Sequence, residues 1–388
     1  MGNDRMTSNE RVLAALRHQE PDRIPFDLGA TAVTGMNVHT YRKLRDALGL
    51  PKIDPVILDI TQQLALIDED VKTALNVDVS GVLPGAPRKN SHARPIEKKG
   101  NYFRRVDEWG IEWKMPIENG HYFDMVAHPL ADVNDEAGLM AYQWPDPTDE
   151  GLFAEMKVQT EHILNDEKRA AVIGSGPGVW ELALWLNGFE KFFSNMAADK
   201  LFAHAVMRRV TDYKLAYWKK ALDTIGDHPI IANEADDLAT QQSLLISPRM
   251  YKELVHPYHK ELFQFIHSYA KGEVFVFYHS CGACKPLIPY LIEEGVNILN
   301  PVQVSAKEMD TAVLKREFGK DLTFWGGGVD TQRILPFGTE EDVREEVKRR
   351  IDDLRQGGGF VFAAIHNVQS DVPANNFLAM LETLQAYG

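Results

Sequence analysis

Eight short runs rich in β-branched and aromatic residues recur along the chain, each followed by a segment able to form a helix, and this alternation limits the fold most strongly. The runs are RIPFDLG at 23–29, VDVSGVL at 77–83, AAVIGSG at 170–176, PIIANEA at 229–235, VFVFYHS at 274–280, NILNPV at 297–302, LTFWGGG at 322–328 and FVFAAIH at 360–366. Strands that alternate with helices build parallel sheets, because a parallel pair needs a long crossover between its strands. Eight such units predict an α/β fold of the closed (β/α)8 TIM-barrel type, with the chemistry at the C-terminal ends of the strands. An open doubly wound sheet would carry a GxGxxG turn or a P-loop, and neither occurs. The glycine clusters at 174–178 and 326–328 read as tight strand-to-helix turns.

Between the second and third runs, residues 101–130 alternate differently. Tyr102, Arg104 and Val106, then Ile111 and Trp113, with turns at Asp107–Gly110 and Glu118–Gly120, predict a small β meander inserted into the barrel. Residues 246–270 and 339–357 have helical periodicity and begin at the N-cap candidates Ser247 and Thr339, which suits the outer ring of helices. The expectation is a single barrel domain spanning 1–388, with 101–130 as its insertion.

The formal net charge of −14 leaves no basic surplus for a phosphate backbone, so nucleic acid is not an expected partner. No apolar run approaches the roughly 20 residues that span a bilayer, and the N-terminal residues lack a secretory core, so the expected place is the cytoplasm. The only two cysteines, Cys281 and Cys284, are too close to staple much chain, and metal or thiol chemistry suits them better.

The strongest local signal is YHSCGACK at 278–285, where a strand ends. His279 and Cys281 offer imidazole and thiolate at i and i+2, which a strand tip aims to one side, and zinc favours both ligands. The bland reading is a buried histidine beside two apolar thiols. His366, at the end of the eighth run, can reach the same mouth and complete a set of three. Glu234 and Cys284 are further candidate ligands. Acidic residues cluster at other strand ends: Asp27, Asp78, Glu234, Asp236, Asp237 and Asp330. Of these, Asp78 and Glu234 are expected to steer protons, with Tyr278 and Trp325 on an aromatic rim that excludes water. Glu234 as an arginine's partner and Asp330 as a helix cap are the structural alternatives.

The opening RVLAALRHQEPDRIPFDLG, LLISPRMYKELVHPYHKEL, YHSCG with EEGVNILNPVQ, and GGGVDTQRILPFGTEEDV followed by HNVQSDVPANN together resemble the uroporphyrinogen decarboxylase superfamily over nearly the whole chain. The resemblance implies the barrel and two activities: cofactor-free decarboxylation in haem synthesis, or zinc-dependent methyl transfer with corrinoid proteins. The decarboxylases carry an arginine-rich RQAGR-type loop that grips porphyrinogen carboxylates. Here DLGATAVTG stands in its place, with no arginine between Arg23 and Arg42, although Asp78 lies near the position of their pyrrole-binding aspartate. The methyltransferase branch binds zinc through His-x-Cys and a later cysteine. His279 and Cys281 match; the later cysteine is absent, and by position His366 replaces it, with Cys284 as the alternative. The implied activity is methyl transfer between a small molecule and a corrinoid. No Asp-x-His-x-x-Gly corrinoid motif occurs, so the cobalamin is expected on a separate protein. A decarboxylase or lyase is the alternative, and a catalytically silent small-molecule binder the third class.

Overall fold

The computed structural model describes residues 6–89 and 92–388. Seven parallel strands form one sheet: β1 (Val79–Val82), β2 (Ala170–Gly174), β3 (Ile230–Ala235), β4 (Val274–His279), β5 (Ile298–Asn300), β6 (Thr323–Trp325) and β7 (Phe360–Val361). Each pairs with its neighbours in sequence, so the sheet curls in one direction as a TIM-barrel-like wall. Its two edges are linked by residues 25–27. The Asp27 amide donates to Phe362 at 2.9 Å, Phe362 donates to the Pro25 carbonyl at 2.8 Å, and the Asp78 amide donates to the Phe26 carbonyl at 2.8 Å.

The run at 23–29 is therefore shorter as a strand than its pattern predicts, reduced to one bridge between Phe26 and Phe362. Pro25 has no N–H to give a ladder, and Gly29, at φ +82°, turns the chain away directly afterwards.

Alternate residues of the strands point inward and make their own core, including Val172, Ile231, Phe275, Phe277, Ile298 and Trp325. Helix α1 (Ser8–Leu16), closed at its start by a Thr7/Glu10 capping box, adds Val12, Ala15 and Leu16 to that interior. The Gly359 amide donates to Ala15 and the Asn9 amide to Lys168, and both partners lie just before strands begin. Helix α1 thus plugs the end where strands start, leaving the end where they finish as the mouth.

Between β1 and β2 in sequence lies an antiparallel four-stranded sheet: Arg94–Lys99, Tyr102–Val106, Glu112–Pro116 and Asp124–Ala127. Its first strand precedes the stretch singled out from the sequence because all six of its residues are exposed, so no buried face imposed an alternation. Residues 246–270 form two helices, Pro248–Leu254 and His256–Tyr269. Pro257, lacking an N–H and crowding the preceding turn, accounts for the break at Val255. Among the described residues no helix is long and apolar enough to cross a membrane.

Candidate metal centre

Strand β4 ends on His279 and strand β5 on Asn300, and the two residues are register partners. The Asn300 amide nitrogen donates to the Trp325 carbonyl at 2.8 Å, which turns its oxygen toward His279 Nδ1 at 2.6 Å. That oxygen can only accept, so Nδ1 carries the proton and Nε2 presents a lone pair. The Cys281 Sγ lies 3.5 Å from His279 Nε2. The His366 ring stands 5.6 Å from the His279 ring between centroids, tilted by 67°. One ligand atom from each of His279, Cys281 and His366 falls within 4.8 Å of the others.

Local chain geometry makes this convergence possible. Gly282 follows Cys281 at φ +91°, and a Cβ there would lie 2.5 Å from the Ala239 carbonyl oxygen, so only glycine lets the chain turn here against the 239–240 loop. That loop is tied to the cluster by Asp237, which accepts from the Cys281 amide at 2.8 Å and lies 3.7 Å from His279 Nε2.

The donor set suits a divalent cation. Burial, with His279 adding repulsion, pushes His366 down to about 4, so its imidazole is neutral at physiological pH and offers a lone pair. Burial, then Asp237, Cys284 and Glu181, push the Cys281 thiol well above its usual range. A thiol in that setting loses its proton when a cation binds, as zinc ligands do. Two imidazoles and one thiolate with a cavity beside them match the three-ligand pattern of catalytic zinc.

A second carboxyl belongs to this mouth and carries no sequence signal of its own. Glu181 sits in the first turn of α2 (Val179–Asn187). Burial, then Asp237 and Asp236, raise its pKa well above the carboxylate range. Its helix is docked by Asp236, whose side chain accepts from the Glu181 amide while its own amide donates to the His279 carbonyl at 2.9 Å. Gly178 permits that approach, since a Cβ there would lie 2.2 Å from Asp236 Oδ2.

The other residues singled out from sequence lie elsewhere. Glu234 points out of the barrel into the helix layer, where Lys214 Nζ holds it at 2.9 Å and Trp218 Nε1 donates at 2.6 Å, with Ser175 completing the shell. Its partner is a lysine, not an arginine. Tyr278 also faces outward, buried against His259 and Phe263, and its hydroxyl has no partner among the described residues. Asp78 stands just before β1, at the plugged end, held by Arg11 at 2.8 Å and Arg23 at 2.7 Å. Cys284 is fully buried, its thiol directed to the Ser280 carbonyl at 3.9 Å and pushed up to about 12 by burial. Trp325 is interior, edge-on to Phe277 and donating to Asp27 at 3.0 Å, so it packs the barrel below the mouth. Asp330 caps its own turn, accepting from the Gln332 and Arg333 amides.

Comparison with known families settles the ancestry: the family model for uroporphyrinogen decarboxylase (URO-D) matches residues 110–387. The chain belongs to the URO-D family. A methyltransferase from Methanosarcina mazei is structurally similar to this URO-D member, with a TM-score of 0.64 and 15% identity over 98% of this chain and 99% of that one. That likeness shows a shared fold. A β-glucosidase from Pyrococcus furiosus, at 10% identity over 94% of this chain and 95% of its own, has a TM-score of 0.31 and carries no weight. No curated protein matches the chain.

Proposed function

We propose that this URO-D family protein is a zinc-dependent methyltransferase that moves a methyl group between a small molecule and a corrinoid carried by a separate protein. The observation that carries this reading is the convergence of His279, Cys281 and His366 at the open mouth, with the His279 ring fixed by Asn300. These three residues would hold the metal. Zinc there supplies Lewis-acid charge, which lowers the pKa of a thiol or polarises the heteroatom that bears a methyl group. Asn300 keeps His279 in the tautomer that ligates, and burial keeps His366 neutral. Glu181 takes the proton-steering role expected of Asp78 and Glu234, because its raised pKa lets it hold a proton beside the reacting heteroatom. In this reading the whole of 1–388 is one barrel unit, with 25–27 standing in for the first strand and the antiparallel sheet as an insertion.

A separate corrinoid partner is supported by the rim. Ile57, Ile60 and Tyr122 are exposed, and Tyr122 and Gln62 hydrogen-bond to Gln369 and Asn367, just after His366. Decarboxylation of a porphyrinogen fits less well, since Arg11 and Arg23 are both engaged by Asp78 at the plugged end. The test is anaerobic mixing of zinc-loaded protein with a corrinoid protein and a panel of methyl donors and thiol acceptors, following the cobalamin spectrum. Conversion between methylated and unmethylated cobalt supports the reading. No change across the panel with zinc bound, or stepwise decarboxylation of uroporphyrinogen, rejects it.

A further inference from the structure

Beside the cluster lies a cavity of about 300 Å3, into which Cys281 and His366 both look. Its remaining polar wall comes from Thr240, Gln241, Gln303, Ser305, Thr331 and Gln332, and no Lys, Arg, Asp or Glu lines it. These side chains are organised. Gln303 accepts from the Gly282 amide at 2.6 Å and reaches Ser305 at 3.5 Å; Ser305 donates to Gln332 at 3.2 Å, and Gln241 donates to the same Gln332 oxygen at 2.9 Å. The chain of bonds consumes the Gln332 oxygen and a Gln241 N–H. The Gln332 amide nitrogen and the Gln241 oxygen keep no protein partner among the described residues, so free N–H donors and a free carbonyl acceptor remain on the wall.

The nearby cations are already committed, and a carboxylate close to the cluster, Asp237, stands 3.7 Å from His279 Nε2 with no lysine or arginine paired to it among the described residues. Arg333 pairs with Asp330 at 3.0 Å and Lys285 with Glu317 at 2.9 Å, while Lys307 is exposed and does not line the cavity. An anion entering such a wall would shed water and find dipoles, no cationic side chain and the Asp237 carboxylate nearby, which is costly, whereas a neutral hydroxyl, ether or amide exchanges water for the free donors and acceptor at little loss.

We infer that this cavity selects an uncharged, oxygen-bearing small molecule over an anionic one, with Gln241 and Gln332 as the specificity-determining residues. The inference rests on the reading that the cluster is the reaction site, and it names the class of substrate presented there. It implies that the thiol or methyl donor used by this protein carries a neutral tail rather than an anionic one.

The test compares two small thiols of similar length that differ in the charge of the tail: 1-thioglycerol (neutral) and 3-mercaptopropionate (anionic). Binding is measured by titration calorimetry on zinc-loaded protein and by ligand-observed NMR on metal-free protein, with zinc content determined separately. Thioglycerol is expected to bind at least tenfold more tightly than mercaptopropionate. Gln332→Lys, at an exposed position, is expected to improve mercaptopropionate at least threefold relative to thioglycerol. Mercaptopropionate that matches thioglycerol on the natural protein overturns the inference, as does a ranking that Gln332→Lys leaves unchanged. Failure to bind zinc would count against the methyltransferase reading alone, because the ranking on metal-free protein still reports on the wall.

Discussion

Removing the Asn300 side chain should weaken metal binding without touching a ligand. Asn300 is fully buried and bridges two groups, accepting from His279 Nδ1 at 2.6 Å and donating to the Trp325 carbonyl at 2.8 Å. Partners that orient a ligating histidine typically contribute 10–100-fold to metal affinity, about 1.4–2.7 kcal/mol, and Asn300→Ala should lose an amount in that range. The same change strands the Trp325 carbonyl, which should cost about 1–3 kcal/mol of stability. Asn300→Asp separates the two effects. A carboxylate still accepts from Nδ1–H, so zinc affinity should stay within a few-fold of the natural protein, but it cannot donate to Trp325, so the stability loss should remain. Competition with a chromophoric zinc chelator reads the first quantity and urea denaturation the second. If Asn300→Ala binds zinc as tightly as the natural protein, or Asn300→Asp loses as much affinity as Asn300→Ala, the proposed role of Asn300 is wrong.

Three further outcomes are expected. Cys281→Ser and His366→Ala should each lose most of the zinc while keeping the fold, and Cys284→Ser should keep both, as read by metal analysis and circular dichroism; full zinc in either of the first two would discard the ligand set. Lys214→Met should leave the Glu234 carboxylate buried without its cation and destabilise the protein by about 3–5 kcal/mol in urea, with zinc stoichiometry unchanged, and a loss below about 1 kcal/mol would refute that pairing's role. Burial alone would lower the pKa of His259, but hydrogen bonds to Asp236 and Glu294 outweigh it and raise the group to about 9. The folded state then keeps a proton that an unfolded histidine releases near pH 6.5, so up to about 3 kcal/mol of stability is present below 6.5 and lost as pH rises to 9. Denaturation across that range should show the decline in the natural protein and not in His259→Gln; parallel curves would contradict it.

Much of this was legible in the sequence, for physical reasons. Runs such as VFVFYH are buried on both faces and announce themselves by composition, so their positions could be read directly. The strand at 23–29 is shorter than its composition implies because Pro25 and Gly29 limit pairing in ways that apolar residues do not reveal. His279, Cys281 and His366 could be brought together from sequence because a strand end fixes which mouth a residue reaches. The alternation within a strand separates the proton-steering candidates from the mouth. With Phe275, Phe277 and His279 facing in, Tyr278 must face out, and the same period places Glu234 outward beside inward Asn233. Asp78 precedes its strand, which puts it at the plugged end and away from the mouth. Glu181 had no such signal, because its nearness to Asp237 depends on how α2 docks through Gly178, a long-range contact that no local pattern encodes.

The central claim is that His279, Cys281 and His366 form a zinc centre, and zinc-edge X-ray absorption on protein purified without chelators tests it most directly. The account predicts one zinc per chain, with one sulfur at about 2.3 Å, two imidazole nitrogens at about 2.0–2.1 Å and one remaining light-atom ligand. A protein that takes up no zinc, or whose bound zinc shows no sulfur neighbour, would contradict it.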